Sequence, residues 1–198
     1  MKRTELAAAA RAPHFIGSWF VEPAEVCDDL IALFENARDR HQPGMTYHGL
    51  NEAEKKSTDL TVYPRDLGDE AFAAARRYID TLHECYMDYL KQWPFLERLG
   101  AMNIGPFNIQ RYDAGGHFGH LHAERVELSN SHRVLTWMTY LNDVSDGGST
   151  YFPHFDVDIR PEKAKTIIWP AEWTHAHVGN KVTTGPKYII TGWLHFPS

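Results

Sequence analysis

A chain of 198 residues with 43% hydrophobic and 23% charged residues is long enough for one domain with a substantial core. Its formal net charge of −6 provides no basic surface for a phosphate backbone, so nucleic acid is excluded as an expected partner. The sequence has neither a signal-peptide pattern nor an apolar run of membrane-spanning length, so we expect no membrane association. Cys27 and Cys85 occupy core-like helical positions typical of reduced thiols, which predicts a cytoplasmic protein. The oligomeric state is not fixed by these features.

The N-terminal half is predicted to contain two helices. Pro23 marks a helix start, and apolar residues at helical spacing predict a first helix over about 23–40. The same spacing predicts a second helix from about 69 to about 92. The polar segment 44–57 between them is expected to be a solvated loop or a mobile cover over a site.

The C-terminal half changes to the period of two that is typical of β-strands. Gly, Asn, Asp and Pro clusters separate the predicted strands. These strands are 107–112, 135–141, 150–152, 157–159, 166–169 and 188–196. Many short strands predict a barrel or jelly roll whose inward side chains line a cavity, with the two helices bracing one sheet from outside.

Eight of the twelve histidines lie in this second half, and two of them, His120 and His122, closely precede the acidic residue Glu124. His122 and Glu124 are two residues apart, so in an extended strand both side chains leave from one face. A third imidazole from His175 or His177 would complete two histidines and one carboxylate, the set that non-heme Fe(II) oxygenases use. Spacing alone does not choose between His120 and His122, or between His175 and His177. The same ligand types also occur in zinc hydrolases.

Three longer motifs carry a family resemblance. They are YDAGGHFGHLHAE at 112–124, YLND with GGSTYF at 140–152, and HVGNKVTTGPK at 177–187. In this order they resemble the prolyl 4-hydroxylase-like Fe(II)/2-oxoglutarate dioxygenases, closely over about 107–196 and loosely over about 15–100. The resemblance implies a mainly β fold with flanking helices, in which a double-stranded β-helix (a cupin-like jelly roll) is braced by two N-terminal helices. We expect a single domain over 1–198, with helical support at about 15–100 and the jelly-roll catalytic core at about 101–198.

The resemblance also implies the metal ligands. His122, Glu124 and His177 match the positions that hold Fe(II) in the family, while the remaining nearby histidines become pocket or surface residues, namely His120, His154 and His175. The family usually has Asp where this chain has Glu124, so the ligand arm is longer by about one carbon–carbon bond. Because a carboxylate is retained, hydroxylation rather than halogenation is implied.

A cationic anchor for the cosubstrate is implied at Lys187. A buried distal carboxylate of 2-oxoglutarate needs a charged partner, and Lys187 matches the basic residue of the family. Tyr140 is similar to a family tyrosine that donates to the same carboxylate, and Tyr112 resembles a pocket tyrosine. Thr191 and Trp193 share the strand face of Lys187 and are expected to line the pocket near the cosubstrate.

Further polar residues have two interpretations each. Asn108 and Gln110 share the strand face of Tyr112 and belong either to the cavity lining or to a solvent face. Three arginines near the site in sequence are expected either to bind a substrate carboxylate or to be exposed, namely Arg111, Arg125 and Arg133.

The implied activity is hydroxylation of an unactivated C–H, with a prolyl or other amino-acid side chain, free or in a peptide, as the leading substrate. Fe(II), 2-oxoglutarate and O2 are the implied cofactor and cosubstrates, succinate and CO2 the coproducts, and ascorbate the reductant for reactivation. The alternatives are a dioxygenase acting on another small molecule and a non-catalytic cupin-like metal- or ligand-binding module. A buried cation at Lys187 favours the enzyme. Segments 44–57 and 129–132 are the candidate mobile covers.

Overall fold

Two α-helices and thirteen strands make up the part of the chain that a computed structural model describes, residues 13–46 and 49–196. Two α-helices are present in these ranges, α1 (Glu25–Asn36) and α2 (Ala73–Gln92). The strands are β1 (Gly17–Phe20), β2 (Gln42–Pro43), β3 (Lys55–Lys56), β4 (Thr58–Val62), β5 (Asn103–Ile104), β6 (Phe107–Tyr112), β7 (His117–His122), β8 (Arg133–Tyr140), β9 (Thr150–Phe152), β10 (Val157–Ile159), β11 (Lys165–Pro170), β12 (His177–Gly179) and β13 (Lys187–His195).

The strands form two sheets that enclose a cavity. The major sheet has the order β1-β11-β8-β13-β6-β4-β2, with β5 also paired to β13. The minor sheet has the order β10-β9-β12-β7-β3, and the strand pairs in both sheets are antiparallel. From β6 to β13 the chain passes back and forth between the two sheets, so most strands pair with strands distant in sequence. This arrangement is the predicted jelly roll, or double-stranded β-helix.

Side-chain alternation on the major sheet separates two hydrophobic clusters. On β13, Ile190 joins the cluster under the helices while Ile189 joins the cluster between the sheets. Trp137 and Met138 on β8 divide in the same way. The helices therefore cover the outer face of the major sheet, and its inner face is left to the cavity.

Burial of one face of each helix explains why both helices form here. Phe34 and Leu30 on α1 are fully buried, as is Tyr78 on α2, whose hydroxyl lies 2.7 Å from the Thr139 hydroxyl of the sheet. Both cysteines are free and buried, and burial raises the pKa of each thiol to about 11. None of the described helices has the length and apolar character needed to cross a membrane.

The structure differs from the expected division into a helical first half and a β second half. β1 pairs with β11 and β4 pairs with β6, so residues before 100 supply strands to the major sheet as well as the two helices. The first helix also ends earlier than expected, at Asn36, and a 3₁₀ turn follows at Arg38–Arg40. Ala37 breaks the helical geometry between them, with φ −95° and ψ 38°.

Candidate functional site

Two imidazoles and one carboxylate meet where β7 ends and β12 begins. His122 and His177 are direct antiparallel partners, and their ring centroids are 4.4 Å apart. Glu124 lies two residues beyond the end of β7, with its Oε1 3.7 Å from His122 Nε2 and 3.6 Å from His177 Nε2. All three ligand atoms lie within 4.8 Å of one another. The family resemblance implied this ligand set, although Glu124 follows the strand rather than belonging to it.

Backbone carbonyls fix the protonation pattern of both histidines. Nδ1 of His122 lies 2.8 Å from the carbonyl oxygen of His120, and Nδ1 of His177 lies 3.0 Å from that of His175. A carbonyl oxygen only accepts, so each Nδ1 donates its proton and each Nε2 keeps its lone pair toward Glu124. Burial lowers the pKa of both rings, to about 4 for His122. Both are therefore neutral near pH 7, the form that binds metal.

Trp193 and Arg133 hold the other side of the carboxylate. Trp193 Nε1 donates to Glu124 Oε2 over 2.8 Å, and Arg133 Nη1 lies 3.6 Å from the same oxygen. Burial alone would raise the pKa of Glu124, but the neighbouring imidazoles, the indole N–H and Arg133 together hold it below its usual value. An ionised carboxylate with two neutral imidazoles fits a divalent iron ion with one open side.

The triad opens into a cavity of about 960 Å³. The inner face of the major sheet lines one wall of it through alternate residues of two adjacent strands. From β13 these residues are Lys187, Ile189, Thr191 and Trp193, and from β6 they are Asn108, Gln110 and Tyr112. Asn108 and Gln110 therefore belong to the cavity lining rather than to a solvent face.

Lys187 is a buried cation in this wall, with 3% of its surface exposed. Its Nζ donates to the Gly148 carbonyl over 2.8 Å and lies 4.6 Å from the centre of the Tyr112 ring. No carboxylate among the described residues pairs with it at ion-pair distance. Burial lowers the pKa of Lys187 to about 7. An ammonium group buried in a cavity without a counter-ion is suited to an anionic ligand.

A polar network behind Tyr112 was missed at the sequence level. Tyr112 donates to Gln110 Oε1 over 2.8 Å, and Gln110 Nε2 donates to Asp59 Oδ2 over 2.8 Å. Lys55 Nζ donates to the same Asp59 oxygen over 2.7 Å, and both members of this ion pair are buried. Lys55 lies in a charged segment that was expected to be exposed to solvent. The only sequence signal for its burial was a possible ion-pair partner, Asp59, four residues later.

The hydroxyl groups of two other residues predicted to contact the cosubstrate, Thr191 and Tyr140, form hydrogen bonds to other atoms of the protein. Thr191 lines the cavity, but its hydroxyl donates to the Trp137 carbonyl over 2.9 Å. The Tyr140 hydroxyl donates to the Ile159 carbonyl over 3.0 Å and lies 2.7 Å from the hydroxyl of Thr150. Thr150 lines the cavity and Tyr140 lies behind it, so donation by Tyr140 to the cosubstrate stays a prediction.

The three arginines divide into two kinds. Arg111 pairs with Glu35 and Asp113 and lies outside the cavity lining, and Arg125 pairs with Glu172. Arg133 alone of the three lines the cavity.

The other histidines near the site do not join the triad. His175 is buried, with Nε2 2.9 Å from the His14 carbonyl, and His154 lies against the Trp173 ring. His120 is exposed at the cavity wall.

Both candidate cover segments contribute to the cavity wall. In segment 44–57, of which residues 47 and 48 lie outside the described residues, Met45 and Lys55 line the cavity. Strand β3 in this segment pairs with β7, so this part is an ordered edge rather than a solvated loop. From 129–132, Ser129 and Asn130 line the cavity. Asn130 is buried and its side-chain oxygen accepts from two backbone amides. Closure by either segment stays a prediction.

Fold and site together define a double-stranded β-helix with a candidate metal site, and comparison with known proteins shows what it is similar to. Residues 107–195 match the model of the 2OG-Fe(II) oxygenase superfamily. It is 32% identical over 76 residues to prolyl 4-hydroxylase subunit alpha-1 of Gallus gallus, covering 35% of this chain and 15% of the relative. It is 25% identical over 142 residues to probable prolyl 4-hydroxylase 4 of Arabidopsis thaliana, covering 56% of this chain and 47% of the relative. The chain thus spans less than half the length of these relatives.

Solved structures share the whole fold. A prolyl-4-hydroxylase of Pseudomonas putida superposes with a TM-score of 0.72 at 17% identity, covering 93% of this chain and 94% of that one. The viral collagen prolyl hydroxylase of Paramecium Bursaria Chlorella virus-1, in its 2OG complex, gives 0.67 at 18% identity, with 92% and 97% covered. A Trichoplax adhaerens prolyl hydroxylase, in complex with a hypoxia inducible factor peptide fragment, gives 0.70 at 16% identity, with 92% and 84% covered. The predicted fold class is confirmed.

Proposed function

We propose that this protein is an Fe(II)- and 2-oxoglutarate-dependent oxygenase that hydroxylates a prolyl side chain in a peptide. One observation carries the proposal: a two-histidine, one-carboxylate group shares a single cavity with a buried lysine that has no counter-ion among the described residues. A non-catalytic binding module has no need for both. The match of residues 107–195 to the 2OG-Fe(II) oxygenase superfamily model supports the same conclusion.

In this proposal His122, Glu124 and His177 hold the ferrous ion through their Nε2 and Oε1 atoms. Iron, 2-oxoglutarate and dioxygen supply the oxidising power, which side chains lack. The residues of the chain supply binding and orientation. The two Nδ1–H groups that donate to backbone carbonyls keep both imidazoles in the tautomer that presents a lone pair to the ion.

Lys187 is proposed to bind the distal carboxylate of 2-oxoglutarate. Arrival of an anion raises the pKa of the buried amine, so the ammonium form is restored when the cosubstrate binds. The Tyr112 ring, 4.6 Å from Nζ, closes one side of this position and Thr191 lines the same wall. Charge pairing away from water then contributes a strong, directed contact.

The cavity rim supports a peptide rather than a free amino acid. Four large apolar side chains both line the cavity and are strongly exposed, namely Met45 (54%), Leu121 (49%), Val126 (59%) and Trp173 (68%). Exposed apolar groups collected at one mouth are typical of a surface that binds an apolar partner. A free amino acid would instead need charged partners for its ammonium and carboxylate groups, and the lining cations Lys55 and Arg133 already face Asp59 and Glu124.

The names of the relatives and neighbours, which are prolyl hydroxylases, support proline as the target residue. We also propose a cytoplasmic location, which the two buried free thiols support. Ascorbate is expected to act only in reactivation of the iron.

The test compares a proline-containing peptide with apolar flanking residues against free L-proline. With Fe(II), 2-oxoglutarate and oxygen, the peptide should gain one oxygen atom by mass spectrometry, with one succinate formed for each hydroxylation. His177→Ala should abolish both signals while preserving the fold by circular dichroism. Hydroxylation of free proline alone would overturn the peptide assignment, and equal turnover by His177→Ala would overturn the metal site.

A further inference from the structure

We propose that Trp193 and Arg133 act as positioning residues that set Glu124 as a metal ligand. We call Trp193, Arg133 and Glu124 together the carboxylate clamp. This inference rests on the proposed function, because it concerns how the same triad is held. It assigns Trp193 to the metal side of the site, whereas its position on the strand face of Lys187 had pointed to the cosubstrate.

The two oxygens of Glu124 face different partners. Oε2 accepts from the Trp193 indole N–H over 2.8 Å, while Oε1 points between the two imidazoles at 3.6 and 3.7 Å. A donor fixed on one oxygen leaves the other free as a single ligand atom, and it limits rotation of the carboxylate plane. The clamp therefore selects which oxygen faces the metal position.

A β-bulge brings Arg133 into the cavity. Across β13 and β8, Leu194 pairs with Leu135 but His195 pairs with Arg133, so β8 carries one extra residue, Val134. The consecutive residues Val134 and Leu135 both pack on the helix side of the sheet, so the in-and-out alternation of side chains along β8 is interrupted at Val134. Regular alternation would have placed Val134 inside. The bulge places Arg133 there instead.

Arg133 contacts both other members of the clamp. Its guanidinium carbon lies 3.6 Å from the centre of the Trp193 ring, a stacked cation–π contact. Its Nη1 donates to the Glu124 backbone carbonyl over 3.0 Å and lies 3.6 Å from Oε2. Arg133 therefore orients the indole and anchors the backbone of Glu124, which lies beyond the last residue of β7.

The carboxylate clamp also explains how the longer side chain of Glu124 can serve as a ligand where the shorter Asp would be expected. Glu has one more rotatable bond than Asp, so an unrestrained Glu would lose more side-chain entropy on fixing a metal. The indole and guanidinium contacts restrain this extra bond before any ion binds. An Asp at 124 would reach one carbon less far, and it would not keep both the Trp193 donor and the metal position.

The test measures metal affinity without cosubstrate or peptide, by titrating the apoprotein with Co²⁺ and following its visible absorption. Trp193→Phe removes the N–H donor while keeping an aromatic ring beside Arg133, and should weaken Co²⁺ binding about 10- to 100-fold. Trp19→Phe is the matched control, because Trp19 Nε1 also donates to a carboxylate, Asp88, over 3.0 Å on the helix side. That variant should bind Co²⁺ as the unmodified protein does. Equal affinity of Trp193→Phe and the unmodified protein would overturn the inference.

A double-mutant cycle separates positioning from general packing. In the Glu124→Asp background the indole has lost its acceptor, so Trp193→Phe should cause little further loss of Co²⁺ affinity. The same fold-loss in both backgrounds would mean that Trp193 acts through packing, and would overturn its assigned role.

Arg133→Lys keeps the charge but loses the stacked, forked geometry, so it should also weaken Co²⁺ binding. An altered KM for peptide with unchanged Co²⁺ affinity would make Arg133 a substrate residue and overturn its place in the clamp. Unmodified protein that fails to bind Co²⁺ at the triad would instead count against the proposed function, so the two failures are distinguishable.

Discussion

Replacement of Lys187 by methionine tests the buried cation directly. Burial lowers the pKa of this amine from 10.5 to about 7 because the ammonium form loses its hydration. The unfolded chain binds its proton up to about pH 10.5, whereas the folded protein binds it only below about pH 7. Between these values the unfolded state holds more protons, so the contribution of this group to stability rises with pH. The free-energy cost of burying the Lys187 ammonium group is fully present below pH 7 and disappears above pH 10.5.

The size of the effect follows from that difference. At 1.36 kcal/mol for each pH unit, keeping Lys187 protonated in the folded protein costs about 5 kcal/mol. Methionine also removes the hydrogen bond to Gly148 and the contact with the Tyr112 ring, each worth about 1 kcal/mol. The free energy of unfolding of the apoprotein should therefore increase by about 3 kcal/mol at pH 6. At pH 10 the gain should be nearly gone.

Urea denaturation of the apoprotein at pH 6 and pH 10 measures this change, with the exposed Lys91→Met as the control. 2-Oxoglutarate should raise the unfolding midpoint of the unmodified protein and of Lys91→Met but not of Lys187→Met, since ligand binding stabilises the folded state by mass action. The reasoning is refuted if Lys187→Met destabilises the protein equally at both pH values. It is refuted as well if 2-oxoglutarate stabilises Lys187→Met as much as the unmodified protein.

Three further substitutions test the surroundings of the cavity by urea denaturation. Asp59→Asn should destabilise the protein by about 3–5 kcal/mol, because it leaves the Lys55 ammonium buried and unpaired; a loss below about 1 kcal/mol would show that this ion pair is solvated. Tyr140→Phe should cost about 1–3 kcal/mol through its two lost hydrogen bonds, with little change in 2-oxoglutarate affinity, and the reverse pattern would support its predicted donation to the cosubstrate. Gly192→Ala should cost about 1–3 kcal/mol, because an added Cβ would lie 2.5 Å from the Trp137 ring; an unchanged midpoint would mean that the sheet relaxes freely.

The fold was predictable where one physical signal dominated. Strands β6, β9 and β10 occur with the bounds that period-two alternation predicted. Strands β1 and β4 were missed because they lie in the helix-rich half of the chain, and their partners β11 and β6 are distant in sequence. Long-range pairing of this kind leaves no local sequence pattern.

The grouping of the triad was predictable, while the contacts that position it were not. His122 and Glu124 share a two-residue spacing, and the family motif separated His177 from His175. Arg133 was one of three arginines of equal standing, because nothing local distinguishes a residue that a bulge turns inward. The ion pair of Lys55 and Asp59 was hidden for a related reason, since burial of a charge depends on the wall formed around it.

The central claim is that the His122, Glu124 and His177 group and Lys187 hold iron and 2-oxoglutarate in one cavity. Anaerobic titration with Fe(II) and 2-oxoglutarate, followed by visible absorption, tests it most directly. A weak metal-to-ligand charge-transfer band should appear only when both are present. It should be absent in His177→Ala, and Lys187→Met should require far more 2-oxoglutarate to reach it. No band although both components bind, or the same band in His177→Ala, would contradict the account.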